Sequence, residues 1–131
     1  MFKSALLSAL LLSLIACSEP FLYFSGGELR GEQETLVDVP TSNGVMQIET
    51  LASDPYSVNI GYFVVNNQLY IDPAEDRQWY QNILVDPAVR IRFAGADKVH
   101  PMMTVIETDP NIISQFDQER IVLRLEAMTA E

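Results

Sequence analysis

The residues of this chain that could do chemistry gather in its second half. Arg77, Trp79 and Tyr80 stand close together, and Arg90 and Arg92 follow on an alternating stretch. Aromatic rings offer flat apolar walls, and a guanidinium presents a planar fork that matches phosphate or carboxylate. Side by side, these types suit a flat anionic ligand. A structural reading competes with this one. A Trp opening an apolar helix commonly plugs a core, and alternating Arg residues form a solvated or ion-paired strand face. Glu75 and Asp76 just before Arg77 would serve it as surface partners.

Other chemistries find less support. His100 beside Met102 and Met103 has the imidazole and thioether types that suit copper(I). Methionine at strand positions, however, is the ordinary filler of cores. The acidic run Asp72-Pro73-Ala74-Glu75-Asp76 lacks the spacing of a calcium loop and reads as a solvated turn. Ser57 has no nucleophile-elbow motif around it, and His100 is the only histidine a triad could use, which argues against hydrolysis. A single cysteine excludes an internal disulfide, and with a single histidine it excludes a Cys/His zinc site. No metal is expected. The net charge of -10, from 18 acidic and 8 basic side chains, argues against broad contact with nucleic acid.

That cysteine is instead an address. Residues 1–17 read MFKSALLSALLLSLIAC: a positive Lys3, an apolar stretch, then Leu14-Ile15-Ala16-Cys17. About twelve apolar-rich residues make roughly 18 Å of helix, short of the ~30 Å of a bilayer core, so the segment reads as a signal peptide. Its end resembles the bacterial lipobox. The resemblance implies cleavage before Cys17, diacylglycerol on its thiol and acylation of the new amino terminus, hence a stable membrane anchor. Ser18, by the same resemblance, implies the Gram-negative outer membrane, facing the periplasm. The expected organisation is a signal peptide over 1–16, lipidated Cys17 and a tether over 17–26, and one domain over 27–131. Loss of Lys3 leaves the mature chain still more acidic.

The elements that must position the candidates follow from periodicity. Phe21-Leu22-Tyr23-Phe24 is a first strand or a membrane-interface segment. Glu28–Asp38 has spaced apolar residues and is expected as a strand, and Pro40–Gly44 as a turn. Val45–Leu51 alternates as a strand. Tyr56–Val65 and Gln68–Asp72 form a hairpin about Asn66-Asn67. Asp76–Leu84 changes to helical spacing, with Pro73 and Asp76 at its start and Asp86-Pro87 as its stop. Ala88–Ala94 puts Val89, Ile91 and Phe93 on one face and Arg90 and Arg92 on the other. Lys98–Glu107 is its partner, with Pro101 marking an edge or a bulge. Asp109–Gln118 is a short helix and Arg120–Met128 a last strand. The class is mainly β (α+β): a small split β-barrel of about six or seven mostly antiparallel strands with two short helices.

One stretch is more specific than its composition. Arg77-Gln78-Trp79-Tyr80-Gln81-Asn82-Ile83-Leu84, then Asp86-Pro87-Ala88-Val89-Arg90-Ile91-Arg92, follows a hairpin opened by Tyr56-Ser57-Val58-Asn59. This resembles the flavin- and deazaflavin-binding split-barrel proteins, the pyridoxamine-phosphate-oxidase-like group. The resemblance implies a groove at the barrel, often at a homodimer interface, where a phosphate-bearing cofactor sits. Arg77, Arg90 and Arg92 match that group's basic positions, and Trp79 and Tyr80 would wall the ring.

Two functions are therefore expected. The first is a lipid-anchored, periplasm-facing module that is cofactor-free or binds a small ligand, favoured by the acidic charge. The alternative is an oxidoreductase using FMN or a deazaflavin, the ring near Trp79 and Tyr80 and the phosphates on Arg77, Arg90 or Arg92. The partners on either reading are the membrane, through the lipid on Cys17, and a second copy of the chain.

Overall fold

A computed structural model of the chain describes residues 25–117 and 119–131. The expected signal peptide, Cys17 and the Phe21–Phe24 run lie outside the described residues. Seven strands and two helices follow: β1 (Ser25–Gly26), β2 (Gly44–Thr50), β3 (Tyr56–Val65), β4 (Gln68–Ile71), α1 (Gln78–Val85), β5 (Ala88–Phe93), β6 (His100–Ile106), α2 (Pro110–Ile113) and β7 (Leu123–Ala127). The sheet runs β3-β2-β5-β6-β7-β4, and β4 pairs back onto β3. Six antiparallel strands thus close into a barrel, with β1 laid on the edge of β3. No helix among the described residues is long and apolar enough to cross a membrane.

Alternation builds the barrel. Met46 and Ile48, Val58 and Tyr62, Val89 and Ile91, and Leu123 and Leu125 all turn inward. The β3–β4 hairpin is tied by Asn66 and Asn67, both at positive φ (51° and 61°), so Val65 faces Gln68 across a two-residue turn. Asn tolerates that left-handed backbone better than a branched residue does. Helix α1 buries Trp79, Tyr80 and Ile83 in the same core, and Asn82 Nδ2 donates to Thr50 Oγ1 at 3.0 Å. The chain then turns into β5 as the Asp86 carboxylate accepts the Ala88 N–H at 3.0 Å. A second apolar cluster lies under α2, where Tyr70, Ile112 and Val122 pack with Phe63 and Phe116.

Four expectations are corrected. Asp76 does not cap α1, which starts from Arg77 with no side-chain cap. The second helix is shorter than expected, Pro110–Ile113: Asp109 caps its start by accepting the Asn111 N–H, and past it the chain runs on in tighter turns, the Gln115 and Phe116 N–H groups donating to the Ile112 and Ile113 carbonyls. Glu28–Asp38 is not a strand. It is an extended belt with a single parallel bridge, Gln33 to Val99. Its Leu29, Arg30 and Glu34 carbonyls meet side chains of β5 and β6 instead of a neighbouring backbone, which interrupts any ladder. Pro101 is neither at an outer edge nor a bulge. It pairs with Arg90 of β5, one residue beyond the last β6–β7 pair, Met102 with Ala127. Its carbonyl accepts the Met128 N–H, and its missing donor faces the Met128 carbonyl just past the end of β7, so the β6–β7 ladder stops there one hydrogen bond short.

Candidate functional site

β3 is the longest strand and serves two neighbours along one edge. β1 pairs at Ser57 and Val58, and β4 pairs from Phe63 to Val65. Between those stations β3 and β4 separate and leave a groove of about 390 Å³ beside the start of α1. Val58, Ile60, Phe63, Ile71 and Trp79 make its apolar surface. Asp72, Asp76, Arg77 and Arg120 give it charges of both signs. Asp72 sits just after β4 and Arg77 just before α1, so the loop that joins strand to helix sets their spacing. Arg120 is fixed from the other side, its Nη1 donating to the Asp72 carbonyl at 3.1 Å.

Burial holds the Asp72 carboxyl above its ordinary value. Arg120 opposes the shift and the Asp117 charge adds to it. A carboxyl kept partly desolvated in a cleft is a mark of functional sites. Tyr80 shares the core with Trp79 but does not line the groove. Burial, and then the Glu75 charge, raise its hydroxyl pKa.

Arg90 and Arg92 lie elsewhere. Arg90 forks onto Glu49, with Nε to Oε1 at 2.9 Å and Nη2 to Oε2 at 2.6 Å, and Nη2 also donates to the Leu29 carbonyl. Glu49 Oε2 in turn accepts the Leu29 N–H at 2.6 Å. Donating to Glu49 holds the Arg90 guanidinium above its ordinary value, against the effect of burial. Arg92 donates to Gln47 Oε1 at 2.8 Å and to the Arg30 carbonyl at 2.6 Å. Both arginines face their partners directly across the β2–β5 ladder and clamp the belt. Of the five residues singled out in sequence, the fold brings Arg77 and Trp79 into one groove. Tyr80 packs behind it, and Arg90 and Arg92 work on another side of the barrel.

The remaining candidates have structural partners. His100 is buried, with Nδ1 2.7 Å from the Glu34 carbonyl and its ring 5.8 Å from Phe93. Ser57 is buried where β1 meets β3. Among the described residues no group of three or more His, Cys, Asp or Glu is placed to hold a metal. Sequence reasoning passed over Arg120 and Asp72 as groove residues. Arg120 follows a loop with no period, so only the closed ring brings it to Asp72.

A second buried carboxylate sits on β6's far end. Glu107 accepts the N–H groups of Thr108 and Asp109, each at 3.1 Å, and the Arg124 guanidinium. The Asp109 N–H and then Arg124 hold its carboxyl below the ordinary 4.5, against the effect of burial. A lowered folded value means the native state prefers the ionised form. Its contribution to stability is present above about pH 4.5 and is lost as pH falls through the folded value. Urea midpoints measured from pH 6 to pH 3 should therefore fall less steeply for Glu107→Gln than for the parent.

Fold and groove together define a small six-stranded antiparallel barrel with a mixed-charge cleft at its splayed seam. No protein-family model matches the chain, and no curated protein matches it.

Proposed function

We propose that the chain is a lipid-anchored, periplasm-facing barrel that binds a small ligand in the groove beside Trp79 and acts without a resident redox cofactor. The signal-like segment ending at Cys17 supports the address. The observation that carries the binding reading is the groove itself, an apolar surface bordered by Arg77, Arg120, Asp72 and Asp76. A concave apolar site with a few convergent polar groups is the usual form of a small-molecule site. Its ligand carries an apolar ring and at least one anionic group. The charge around the groove is mixed and not strongly basic, which suits a singly charged ligand better than a phosphate-rich one.

The flavin reading keeps one supporting observation, that Arg77 and Trp79 share the groove. One preparation tests both. The chain from Ser18 onward carries a single tryptophan, so Trp79 reports on the groove directly. The protein is expected to be colourless, to ignore added FMN, and to bind an aromatic sulfonate such as anilinonaphthalene sulfonate with one site per chain. Removing two charge-assisted contacts by Arg77→Ala/Arg120→Ala should weaken that binding at least ~10-fold. A yellow protein absorbing near ~450 nm, as a bound isoalloxazine does, would replace this reading with the redox one. Binding indifferent to the double substitution would move the ligand out of the groove.

A further inference from the structure

A cleft of about 480 Å³ lies where β5 ends at Phe93 and β6 begins at His100. Glu34, Leu36, Asp38 and Val39 wall its other side, and it shares no lining residue with the groove beside Trp79. His100 faces Ile91 across the β5–β6 ladder, so it turns inward with the core and is only 7% exposed. Its Nδ1 lies 2.7 Å from the Glu34 carbonyl, which can only accept, so Nδ1 carries the proton. In the neutral ring Nε2 then holds a lone pair. Nε2 has no hydrogen-bond partner among the described residues, yet no fully sealed side-chain nitrogen or oxygen among them goes unpartnered. Solvent therefore reaches Nε2, and the cleft that His100 lines is its outlet.

The charge around this cleft has one sign. Glu34 and Asp38 are exposed carboxylates, and no Lys or Arg lines it. Leu36, Val39 and Phe93 supply apolar surface and pack on the barrel core behind. We propose that the cleft is a second binding site, which takes a small organic cation: a protonated amine on an apolar body. The ammonium donates to His100 Nε2, the two carboxylates neutralise its charge, and the apolar body lies on Leu36, Val39 and Phe93. The imidazole is already oriented, by a backbone carbonyl and by the Phe93 ring 5.8 Å away, so binding need not order its acceptor. The site selects the charge opposite to that of the ligand assigned to the Trp79 groove, and it stands whether or not that groove is occupied.

His100 is the chain's only histidine, so its ring nitrogens report on the cleft without ambiguity. The test titrates the 15N-labelled full chain, in non-ionic detergent, with phenethylammonium, phenethyl alcohol and phenylacetate, which share one apolar body. It is run at about pH 8, where an alkylamine is charged and imidazole in general is not. The ammonium is expected to move the Nε2 resonance saturably, with one site per chain, and to bind at least ~10-fold more tightly than the other two. Calorimetry on variants supplies a second readout. His100→Phe should weaken amine binding at least ~10-fold by removing the acceptor. Glu34→Gln/Asp38→Asn changes only exposed side chains and leaves the Glu34 carbonyl in place, so it keeps the fold, and it should weaken binding about 3- to 10-fold. Anilinonaphthalene sulfonate should not compete with the amine. An Nε2 resonance unmoved at saturation would overturn the proposal. So would equal binding of the alcohol or the acid, affinity unchanged in the carboxylate double variant, or competition with the sulfonate, which would place the amine in the Trp79 groove.

Discussion

Glu49→Ala is expected to lower stability by about 3 kcal/mol, the cost of stripping one partner from a buried ion pair. Glu49 is 3% exposed, and both its oxygens are engaged by Arg90. Removing it leaves the Arg90 guanidinium, which keeps a fifth of its surface, without its carboxylate, and the Leu29 N–H without its acceptor. The outlying Glu28 oxygen, 3.7 Å from Arg90 and mostly exposed, is too solvated to substitute. Urea unfolding measures the loss. A control separates the pair's net worth from the cost of breaking it. Glu49→Met/Arg90→Met removes both charges together and should recover much of the loss, since desolvation offsets most of a buried pair's attraction. A double variant as weak as the single one would show that the belt contact at Leu29, and not charge pairing, carries the energy. A single variant within about 0.5 kcal/mol of the parent would place the pair with ordinary surface ion pairs.

Ile91→Ala should cost a similar or larger amount, about 3–4 kcal/mol. Ile91 is fully buried and faces Ile48, also fully buried, directly across β2 and β5. Met46, Val89 and Met102 surround the same space. A closed ring of strands cannot collapse easily into the void, because each stave is hydrogen-bonded on both sides. The loss is a large share of the 5–15 kcal/mol typical of a small domain, so the midpoint in urea should fall steeply. The pair shares one cavity. Ile48→Ala/Ile91→Ala should therefore fall short of the sum of the single losses. Strict additivity would mean that the two side chains do not sense each other across the ladder.

The ring was legible in sequence where period and turn chemistry agreed. Asn66-Asn67 announced its hairpin, and the alternation of Val89, Ile91 and Phe93 announced β5. The belt was not legible, because its order comes from Arg90 and Arg92, some sixty residues away in the chain. The same long reach explains the split among the arginines. Local spacing grouped Arg90 and Arg92 with Arg77, yet the register that places Glu49 and Gln47 opposite them is a property of the β2–β5 ladder. Opposite charges at Glu49 and Arg90 were the available signal, and it needed the pairing to be read. The groove was half legible: Arg77 and Trp79 stood out by type, whereas Asp72 and Arg120 meet only through closure of the ring.

The clasp of Glu49, Arg90 and Leu29 has a mechanical consequence. A load drawn through the N-terminal end of the domain reaches the two-residue β1 first and the clasp three residues later. Beyond it the Arg92 grip on the Arg30 carbonyl and the Gln33 bridge to Val99 take up the strain in turn. These fastenings lie outside the hydrogen-bonded ring, so they can yield one after another while the barrel stays shut. The belt thus acts as a fuse at the N-terminal end of the domain, with its breaking strength set chiefly by one buried carboxylate.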